Sequence, residues 1–300
     1  MSQKKSIERK RGNRLGFFIF RTAVRAFGLR GAYGLLYFVG LYYLVFDRAA
    51  VEASMAYVRR RFRDHSAFRR VIDVYLLFVS QGKNLIDRYY AAAVPDAVEV
   101  DIRGYDAVQR LLAEGDRGFI LLTAHVGNWQ VAMTALRKFG RMVHLMMRRE
   151  DNAAVKEALN IDSEGEQVKI LYTDESLGGV VEAMKAVASG GIVSIMGDRA
   201  YDYSATEASF LDGSVRFPIG AFTLAAAAQC PVVVLLSARV GLKRYVVDVS
   251  HIIPPPSGGR GKKQSETKAA VQQFAGILEE YVAEHPYQWF VFRDIWKSND

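Results

Sequence analysis

The octapeptide TAHVGNWQ, residues 123–130, places a histidine where an apolar run ends and a helical pattern begins. The run FILL precedes it and the segment VAMTAL follows it. A neutral imidazole in such a position can remove a proton from a hydroxyl or an amine. The start of a helix also supplies unpaired N–H groups and the positive end of the helix dipole. His125 is therefore a candidate general base, although one histidine in this setting can also be purely structural.

The residues that follow His125 fit the start of a helix. Asn128 is a suitable N-cap, because its side-chain oxygen can accept a hydrogen bond from the first turn. Gly127 lets a substrate approach the backbone closely. Gln130 follows the histidine by five residues and is an amide rather than a carboxylate.

From residue 98 onwards, short β-rich runs alternate with helical patterns. Strands are predicted at Val98–Ile102, Gly118–Thr123, Met142–Met147, Val168–Tyr172, Gly191–Met196, 231–240 and 244–253. Helices are predicted at 49–64, 66–91, 105–114, 128–138, 152–160, 177–189, 219–229 and 264–285, and a loop at 254–263. The alternation predicts an α/β fold with a mixed central sheet and helices on both faces. Ligands bind beyond the carboxyl ends of strands in such sheets, where TAHVGNWQ and MGDRA (196–200) both fall.

The composition excludes several kinds of site. Cys230 is the only cysteine in 300 residues, so the chain can form no internal disulfide and has no Cys/His cluster for zinc. We expect neither a metal nor a redox cofactor. The context AAAAQCP predicts an inert core thiol rather than a nucleophile. The sequence has no G-x-S-x-G elbow, which argues against a serine hydrolase.

Basic charge is concentrated near the N-terminus. The net charge is +8, yet residues 1–70 contain 16 Lys and Arg against 4 Asp and Glu, so the rest of the chain is net negative. A nucleic-acid enzyme would more often spread basic charge around its active cleft. Here the charge accompanies an apolar segment, which indicates an anionic membrane surface and no nucleic-acid partner. The motif RRRFR, 59–63, either binds lipid phosphates or forms a solvated face.

The apolar segment covers residues 15–46 and is interrupted by Arg21, Arg25 and Arg30. It has no small-residue cleavage site, so it is not a signal peptide. Its longest uncharged stretch, 16 residues, falls short of the roughly 20 that span a bilayer. We predict a membrane-associated helix lying in the interface, after a basic disordered tail at 1–14. A single span with snorkelling arginines and a buried core helix are the alternatives.

Four motifs, in order along the chain, resemble those of the lipid A late acyltransferases of the lauroyl and myristoyl type, within the lysophospholipid acyltransferase superfamily. HVGNWQ resembles their histidine motif, in which four residues separate His from Asp or Glu, often with Gly-Asn-Trp between them. GDRA (197–200) resembles their Gly-Asp-Arg block. VRFPIGAFTLAAAAQCPVVV (215–234) and PYQWFVFRDIW (286–296) resemble their Phe-Pro-Gly segment and aromatic C-terminal signature. The resemblance spans about residues 15–296.

The resemblance implies a membrane-associated acyltransferase, with residues 47–300 as the acyltransferase domain. Such an enzyme moves a fatty acyl group from a thioester of acyl carrier protein or coenzyme A to a hydroxyl or amine of a lipid. The resemblance places it at the cytoplasmic face of the inner membrane of a Gram-negative cell. No cofactor is expected beyond the thioester itself, which is already activated, so a base, alignment and oxyanion donors suffice.

By position, the resemblance makes His125 the general base. Asp198 and Arg199 would orient the acceptor or the thioester, although Asp198 could instead cap a turn. Arg148 and Arg149 end a predicted strand and could hold a phosphate of the carrier or lipid, or form a surface pair. Asn128 completes this set of substrate-binding candidates.

The sequence departs from the family pattern at Gln130, where a carboxylate is expected. Its amide oxygen can still accept a hydrogen bond from the imidazole, but without a charge it stabilises an imidazolium less well. We expect Gln130 to orient His125. Glu150 is the alternative acid, unless it is an exposed carboxylate paired with a neighbouring arginine. A catalytically weakened membrane-binding relative is the second reading of the whole chain.

Overall fold

The computed structural model describes residues 14–94, 98–147, 168–173, 179–200 and 204–297. Within these ranges a seven-stranded sheet forms the centre of the protein, and a separate two-stranded hairpin lies beside it. The expected basic tail, apart from Arg14, and the expected helix at 152–160 lie outside the described residues.

The helices and strands follow the alternation expected from the sequence. The described strands are β1 (Glu99–Arg103), β2 (Phe119–Thr123), β3 (Val143–Met147), β4 (Val168–Tyr172), β5 (Ile192–Met196), β6 (Ala205–Phe210), β7 (Gly213–Pro218), β8 (Val232–Gly241) and β9 (Arg244–Ile253). The described α-helices are α1 (Arg14–Phe46), α2 (Arg48–Arg61), α3 (Ala67–Ala93), α4 (Tyr105–Ala113), α5 (Trp129–Leu136), α6 (Val180–Ala188), α7 (Gly220–Ala228) and α8 (Arg260–Glu284). A short 3-10 turn at Arg137–Phe139 follows α5.

The order of strands in the large sheet is β1-β9-β8-β2-β5-β3-β4. Strand β8 pairs antiparallel with β9, while the other neighbours are parallel. The expected α/β fold with a mixed central sheet is therefore confirmed.

Both faces of the sheet are covered, as the central strand β2 shows. All five of its residues are buried. Ile120 and Leu122 point into a core shared with α2, α3, α6, α7 and α8. Phe119 and Leu121 point into a second core, shared with α4 and α5. Since side chains alternate along a strand, a strand buried on both faces is an unbroken apolar run, which is the sequence seen before His125.

The N-terminal helices pack as a group against the sheet domain. Asp47 caps α2 by accepting from the N–H of Ala50, and Ser66 caps α3 by accepting from Arg69. The helix α1 is broken at Gly28, whose φ of 65° lies in the left-handed region. The segment predicted as one helix therefore consists of two consecutive helical pieces with a kink at Gly28.

After Gly28, α1 has two different faces. One packs on α3, where Leu29, Ala32 and Leu36 form a small core with Ile86. The opposite face leaves large apolar side chains exposed, namely Phe38 (75%), Leu41 (52%), Tyr42 (58%), Val45 (57%) and Phe46 (70%). We call these five residues the apolar stripe. By length and composition alone, the segment Thr22–Phe46 could cross a membrane.

The arginines of RRRFR are engaged within the protein. Arg61 donates to the carbonyls of Val282 and Ala283 at the end of α8, both over 2.8 Å. Arg60 lies over the ring of Trp296, 4.4 Å from its centroid. These two side chains therefore serve packing within the protein, a role that neither the lipid-binding nor the solvated-face interpretation of the motif had included.

Two local expectations differ from the structure. The strands β6 and β7 were not predicted; they form a hairpin whose two turn residues, Leu211 and Asp212, have φ of 48° and 53°. Positive φ values at both central residues are characteristic of a type I′ turn. The last long helix begins at Arg260 rather than 264, inside the expected loop.

Candidate active site

The candidate base follows the central strand at its carboxyl end. In the parallel pair of β2 and β5, Thr123 lies opposite Met196. His125 and Asp198 each follow their strand's last residue by two positions, so they leave the sheet at the same level. The ladder continues past the strands, since the N–H of Gly197 donates to the carbonyl of Thr123 over 2.8 Å. The sheet itself therefore brings His125 and Asp198 together.

The carboxylate of Asp198 holds His125 at two points. His125 Nδ1 lies 2.7 Å from Asp198 Oδ1, and the backbone N–H of His125 donates to Oδ2 over 2.9 Å. The Asp198 side chain is fully buried, whereas that of His125 is 24% exposed. The pair thus presents only the imidazole to solvent.

Charge and tautomer follow from this geometry. Burial alone raises the pKa of Asp198, but the adjacent His125 ring, its hydrogen bonds and the Arg199 guanidinium together lower that pKa below its usual value. An ionised carboxylate can only accept, so Nδ1 of His125 carries the proton. Nε2 is then left with a lone pair, which is the form that a general base needs.

Trp289 supplies a third hydrogen bond to the same carboxylate. Its indole N–H donates to Asp198 Oδ2 over 3.0 Å. The segment around it runs beside His125: Val126 and Trp289 form an antiparallel bridge, and the N–H of Phe290 donates to the His125 carbonyl over 2.7 Å. The aromatic C-terminal motif is therefore one wall of the site.

The start of α5 is fixed by close packing on β8. Gly127 has a φ of 47°, and a Cβ there would lie 1.8 Å from the Ser237 carbonyl oxygen. Only glycine fits at this position, because the backbone of β8 leaves no room for a Cβ. The sequence had suggested another reason, the close approach of a substrate. Asn128 accepts from the N–H of Val131 over 3.3 Å, as an N-cap does. Its own N–H donates to Ser237 Oγ over 3.0 Å.

Helix α3 supports the loop from the other side. Asn84 donates from its side-chain amide to the Gly127 carbonyl, and the Asn128 amide donates to the Asn84 carbonyl over 3.3 Å. The Asn128 side chain is buried, and both ends of its amide are used within the protein. Its geometry is that of a residue that shapes the loop rather than one that touches a substrate.

Arg199 follows the carboxylate along the chain. Its Nη2 donates to the Phe290 carbonyl over 3.0 Å. Its Nε is buried and makes no hydrogen bond to any described residue. A charged donor without a partner is thus held next to Asp198.

From the sequence, Gln130 was expected to accept the hydrogen bond of the imidazole, with Glu150 as the alternative. In the structure Asp198 accepts it, although that residue had been expected to orient a substrate. Because Nδ1 is occupied, Gln130 could bind the imidazole only through Nε2, and it would then block the base. Gln130 lies in the first turn of α5 and its side chain is outside the described part, as are Glu150, Arg148 and Arg149 in full. The roles expected for the two arginines therefore stay predictions.

Two supporting residues were missed from the sequence. Trp289 was recognised only as part of a motif, and nothing indicated that its indole reaches a carboxylate 91 residues away. Asn84 carried no signal, since it lies in an ordinary helical pattern. A buried indole usually donates a hydrogen bond, so the tryptophan of PYQWFVFRDIW could have been expected to have an acceptor. The sequence did not indicate which residue that acceptor is.

Other reactive groups near the sheet do not join the site. Burial raises the pKa of the Cys230 thiol to about 11, which leaves it protonated and unreactive at neutral pH. Among the described residues, no group of three or more His, Cys, Asp or Glu side chains is arranged to hold a metal ion.

Comparisons with known proteins bear on this geometry. The family model of the bacterial lipid A biosynthesis acyltransferases matches residues 74–298. A comparison with curated proteins found no match. Among solved structures, the chain is similar to the 1-acyl-sn-glycerophosphate acyltransferase PlsC from Thermotoga maritima, at 12% identity and a TM-score of 0.38, over 81% of this chain and 93% of that one.

The family match covers three quarters of the chain, from the first third of α3 to beyond the C-terminal aromatic motif. It includes the ends of β2 and β5, and so both members of the His125–Asp198 pair. The chain belongs to the bacterial lipid A biosynthesis acyltransferase family and is an acyltransferase.

Proposed function

We propose that the chain transfers a fatty acyl group from an acyl thioester to a hydroxyl or amine of a membrane lipid, with His125 as general base. The observation that supports this most is the hydrogen bond of 2.7 Å between His125 Nδ1 and the buried carboxylate of Asp198. It fixes the tautomer in which Nε2 can accept a proton.

The reaction proceeds by addition and elimination. Nε2 of His125 takes the proton of the acceptor hydroxyl or amine while the acceptor oxygen or nitrogen forms a bond to the thioester carbonyl carbon. The tetrahedral intermediate then collapses, the carbon–sulfur bond breaks, and the imidazolium returns its proton to the departing thiolate. No covalent intermediate on the protein is needed, because the thioester is already activated.

Asp198 and Arg199 have different parts in this scheme. The ionised Asp198 stabilises the imidazolium that forms during transfer, since opposite charges at hydrogen-bond distance favour each other. Arg199, with its unpartnered Nε, supplies positive charge where the carbonyl oxygen becomes negative.

The lipid acceptor is reached from the membrane surface. The apolar stripe of α1 is exposed, while the opposite face of the same helix is attached to α3. A helix that crossed the bilayer would carry with it the polar residues of α3, including Lys83 and Asp87. We therefore assign α1 to the interface of the inner membrane, on the cytoplasmic face, where acyl carrier protein and coenzyme A thioesters are available.

The alternative of a weakened relative rested on the amide at position 130. A buried carboxylate at the end of the neighbouring strand already holds the imidazole, so the amide at position 130 does not by itself indicate a weakened base. No described residue favours the alternative.

Replacement of His125 by Ala tests the proposal. The folded variant should bind membranes normally and transfer acyl groups about 10²–10⁴-fold more slowly, the usual cost of a lost general base. His251→Ala is the matched control, because His251 lies on β9, which is separated from β2 by β8. Transfer is followed by mass spectrometry of lipid extracts incubated with the purified enzyme and an acyl thioester. Wild-type turnover by folded His125→Ala would refute the assignment.

A further inference from the structure

A cavity of about 290 Å³ lies between α1, α3 and the segment that follows α8. Tyr37, Lys83, Arg239, His285, Tyr287 and Gln288 are among the residues that line it. It shares its wall with the candidate active site, because the Gln288 carbonyl accepts from the N–H of Gly127 over 2.8 Å. His125 does not line this cavity, and the proposed acyl transfer does not use the cavity.

Two cations face this cavity. Lys83 Nζ donates to the Tyr37 hydroxyl over 3.3 Å and lies 5.4 Å and 5.2 Å from the ring centroids of Tyr33 and Tyr37. No described carboxylate lies within 4.0 Å of Lys83 Nζ. An ammonium on tyrosine rings, with only a phenol to bind, retains most of its capacity to attract an anion.

Arg239 is held in place at the end of β8. Its backbone N–H and carbonyl both bond the Gln288 side chain, over 2.8 Å and 3.0 Å. Its Nε lies 3.9 Å from Oδ2 of Asp87, which is beyond hydrogen-bond distance. The guanidinium is 20% exposed. It is therefore positioned by the fold and still able to bind a ligand.

Asp87 does not neutralise both cations. Its carboxylate is fully buried and already accepts from the hydroxyls of Tyr33 and Tyr245, the latter over 2.5 Å. The other acid at the cavity, Glu284, is 62% exposed and lies 3.6 Å from His285 Nε2. Lys83 and Arg239 thus face one buried carboxylate that two phenols already use and one exposed carboxylate at the cavity edge, and no described carboxylate lies within hydrogen-bond distance of either cation.

A phosphate ester is the ligand that this arrangement fits. A guanidinium fork, an ammonium and a phenol O–H are donors suited to its oxygens. The volume is at the lower limit for small-molecule pockets, so it accommodates a headgroup rather than a whole lipid. At the rim, Tyr37 is 44% exposed and is followed by Phe38 at the start of the apolar stripe.

We propose that this cavity binds the phosphate of an anionic lipid through Lys83 and Arg239, with the lipid's acyl chains lying along the apolar stripe of α1. It is a lipid-binding site separate from the general base, and it does not depend on the acyl transfer proposed above. The same phosphate chemistry could come from a soluble donor such as coenzyme A, and the experiment below separates the two sources.

The test measures binding of full-length His125→Ala protein to phosphatidylcholine vesicles, with no acyl thioester present, so that the lipids are not modified. The vesicles contain either phosphatidic acid or the same fraction of diacylglycerol, which lacks the phosphate. The parent protein should bind vesicles with phosphatidic acid more tightly than those with diacylglycerol. A variant that also carries Lys83→Gln and Arg239→Gln should show that difference in affinity reduced about tenfold. Arg110→Gln with Lys185→Gln removes two exposed cations from α4 and α6 as the matched control, and should keep the preference.

Single changes guard against a folding defect. Lys83→Gln alone should lose part of the preference, and Arg239→Lys should keep part of it, since it retains the charge without the fork. Thermal melts by circular dichroism identify folded variants. Unchanged preference in the folded double variant, or an equal loss in the control pair, would overturn the proposal. Coenzyme A is titrated into the same variants by calorimetry, and the proposal would also be overturned if coenzyme A bound through Lys83 and Arg239 while phosphatidic acid did not.

Discussion

The indole N–H of Trp289 donates a hydrogen bond to Oδ2 of Asp198 over 3.0 Å. That oxygen also accepts from the backbone of His125, while the other oxygen faces the imidazole. The carboxylate is thus held by three N–H groups, only one of which belongs to the catalytic ring. Trp289 acts on the reaction through Asp198 and is a positioning residue.

Trp289→Phe should keep the packing of the ring against Tyr57 and Phe210, whose centroids lie 5.0 Å and 5.1 Å away, and lose the hydrogen bond. We expect kcat to fall about tenfold with little change in KM, because the carboxylate is less well fixed while substrate contacts are kept. Steady-state kinetics measure this. Trp296→Phe, which loses a 3.2 Å bond to the Phe210 carbonyl, is the matched control. Equal effects of the two changes would show a general packing role.

Asp198→Asn should lower kcat about 10²–10⁴-fold without preventing folding, because the amide is nearly isosteric but uncharged. Its NH₂ group also faces N–H donors that need an acceptor. Kinetics with a saturating thioester measure the loss. A folded Asn variant with near-normal turnover would mean that His125 finds its carboxylate elsewhere.

The lowered pKa of Asp198 predicts that the stability of the folded protein depends on pH. The pKa of Asp198 is about 2 in the folded protein, below its unfolded value of roughly 3.9. The carboxylate therefore contributes stability that is fully present above the unfolded pKa and lost as the pH falls towards the folded one. Urea unfolding in mild detergent should show the wild type and Asp198→Asn converging between about pH 5 and pH 2. A gap that stays constant over that range would contradict the prediction.

Gln130→Ala should leave kcat within about twofold of wild type, because Asp198 already holds Nδ1 of His125. In the proposed reaction Nε2 is taken by the acceptor, so neither ring nitrogen needs the amide. Gln130→Glu, which restores the family carboxylate, should likewise bring no gain. A loss above tenfold in folded Gln130→Ala, measured in the same assay, would restore the orienting role first expected for this residue.

The apolar stripe should control attachment to membranes. Leu41→Glu with Val45→Glu should weaken vesicle binding at least about tenfold, because charge at these positions opposes apolar insertion. The matched control is Val181→Glu with Met184→Glu, which places two charges on exposed apolar positions of α6. Sedimentation with vesicles measures both pairs. Equal loss in the control would indicate that exposed hydrophobicity anywhere suffices.

Most strands and helices could be predicted because local patterns indicate them. A short apolar run such as FILL, between a glycine and a polar segment, is typical of a strand buried on both faces. Ser66 and Asp47 each mark a helix start by their capping side chains. The pairing of β2 with β5 is a different kind of information, since 68 residues and two other strands lie between them along the chain. The role of Asp198 depends on that pairing, so the sequence suggested a nearby partner in Gln130 instead.

The β6–β7 hairpin and the cavity were missed for related reasons. Leu211 is a poor signal for a left-handed turn, and its conformation is imposed by packing in the core. Lys83 and Arg239 are 156 positions apart, and only the tertiary fold brings them to the same cavity. Patterns of a single element cannot report such meetings.

The level register of His125 and Asp198 at the ends of β2 and β5 has a consequence for how the protein can change. A single inserted or deleted residue at either strand end would shift one partner to the wrong height and separate the pair. A substitution at position 130, on the helix that follows, leaves this register unchanged. The His125–Asp198 pair therefore depends on the lengths of the two strand ends rather than on which side chain the helix carries.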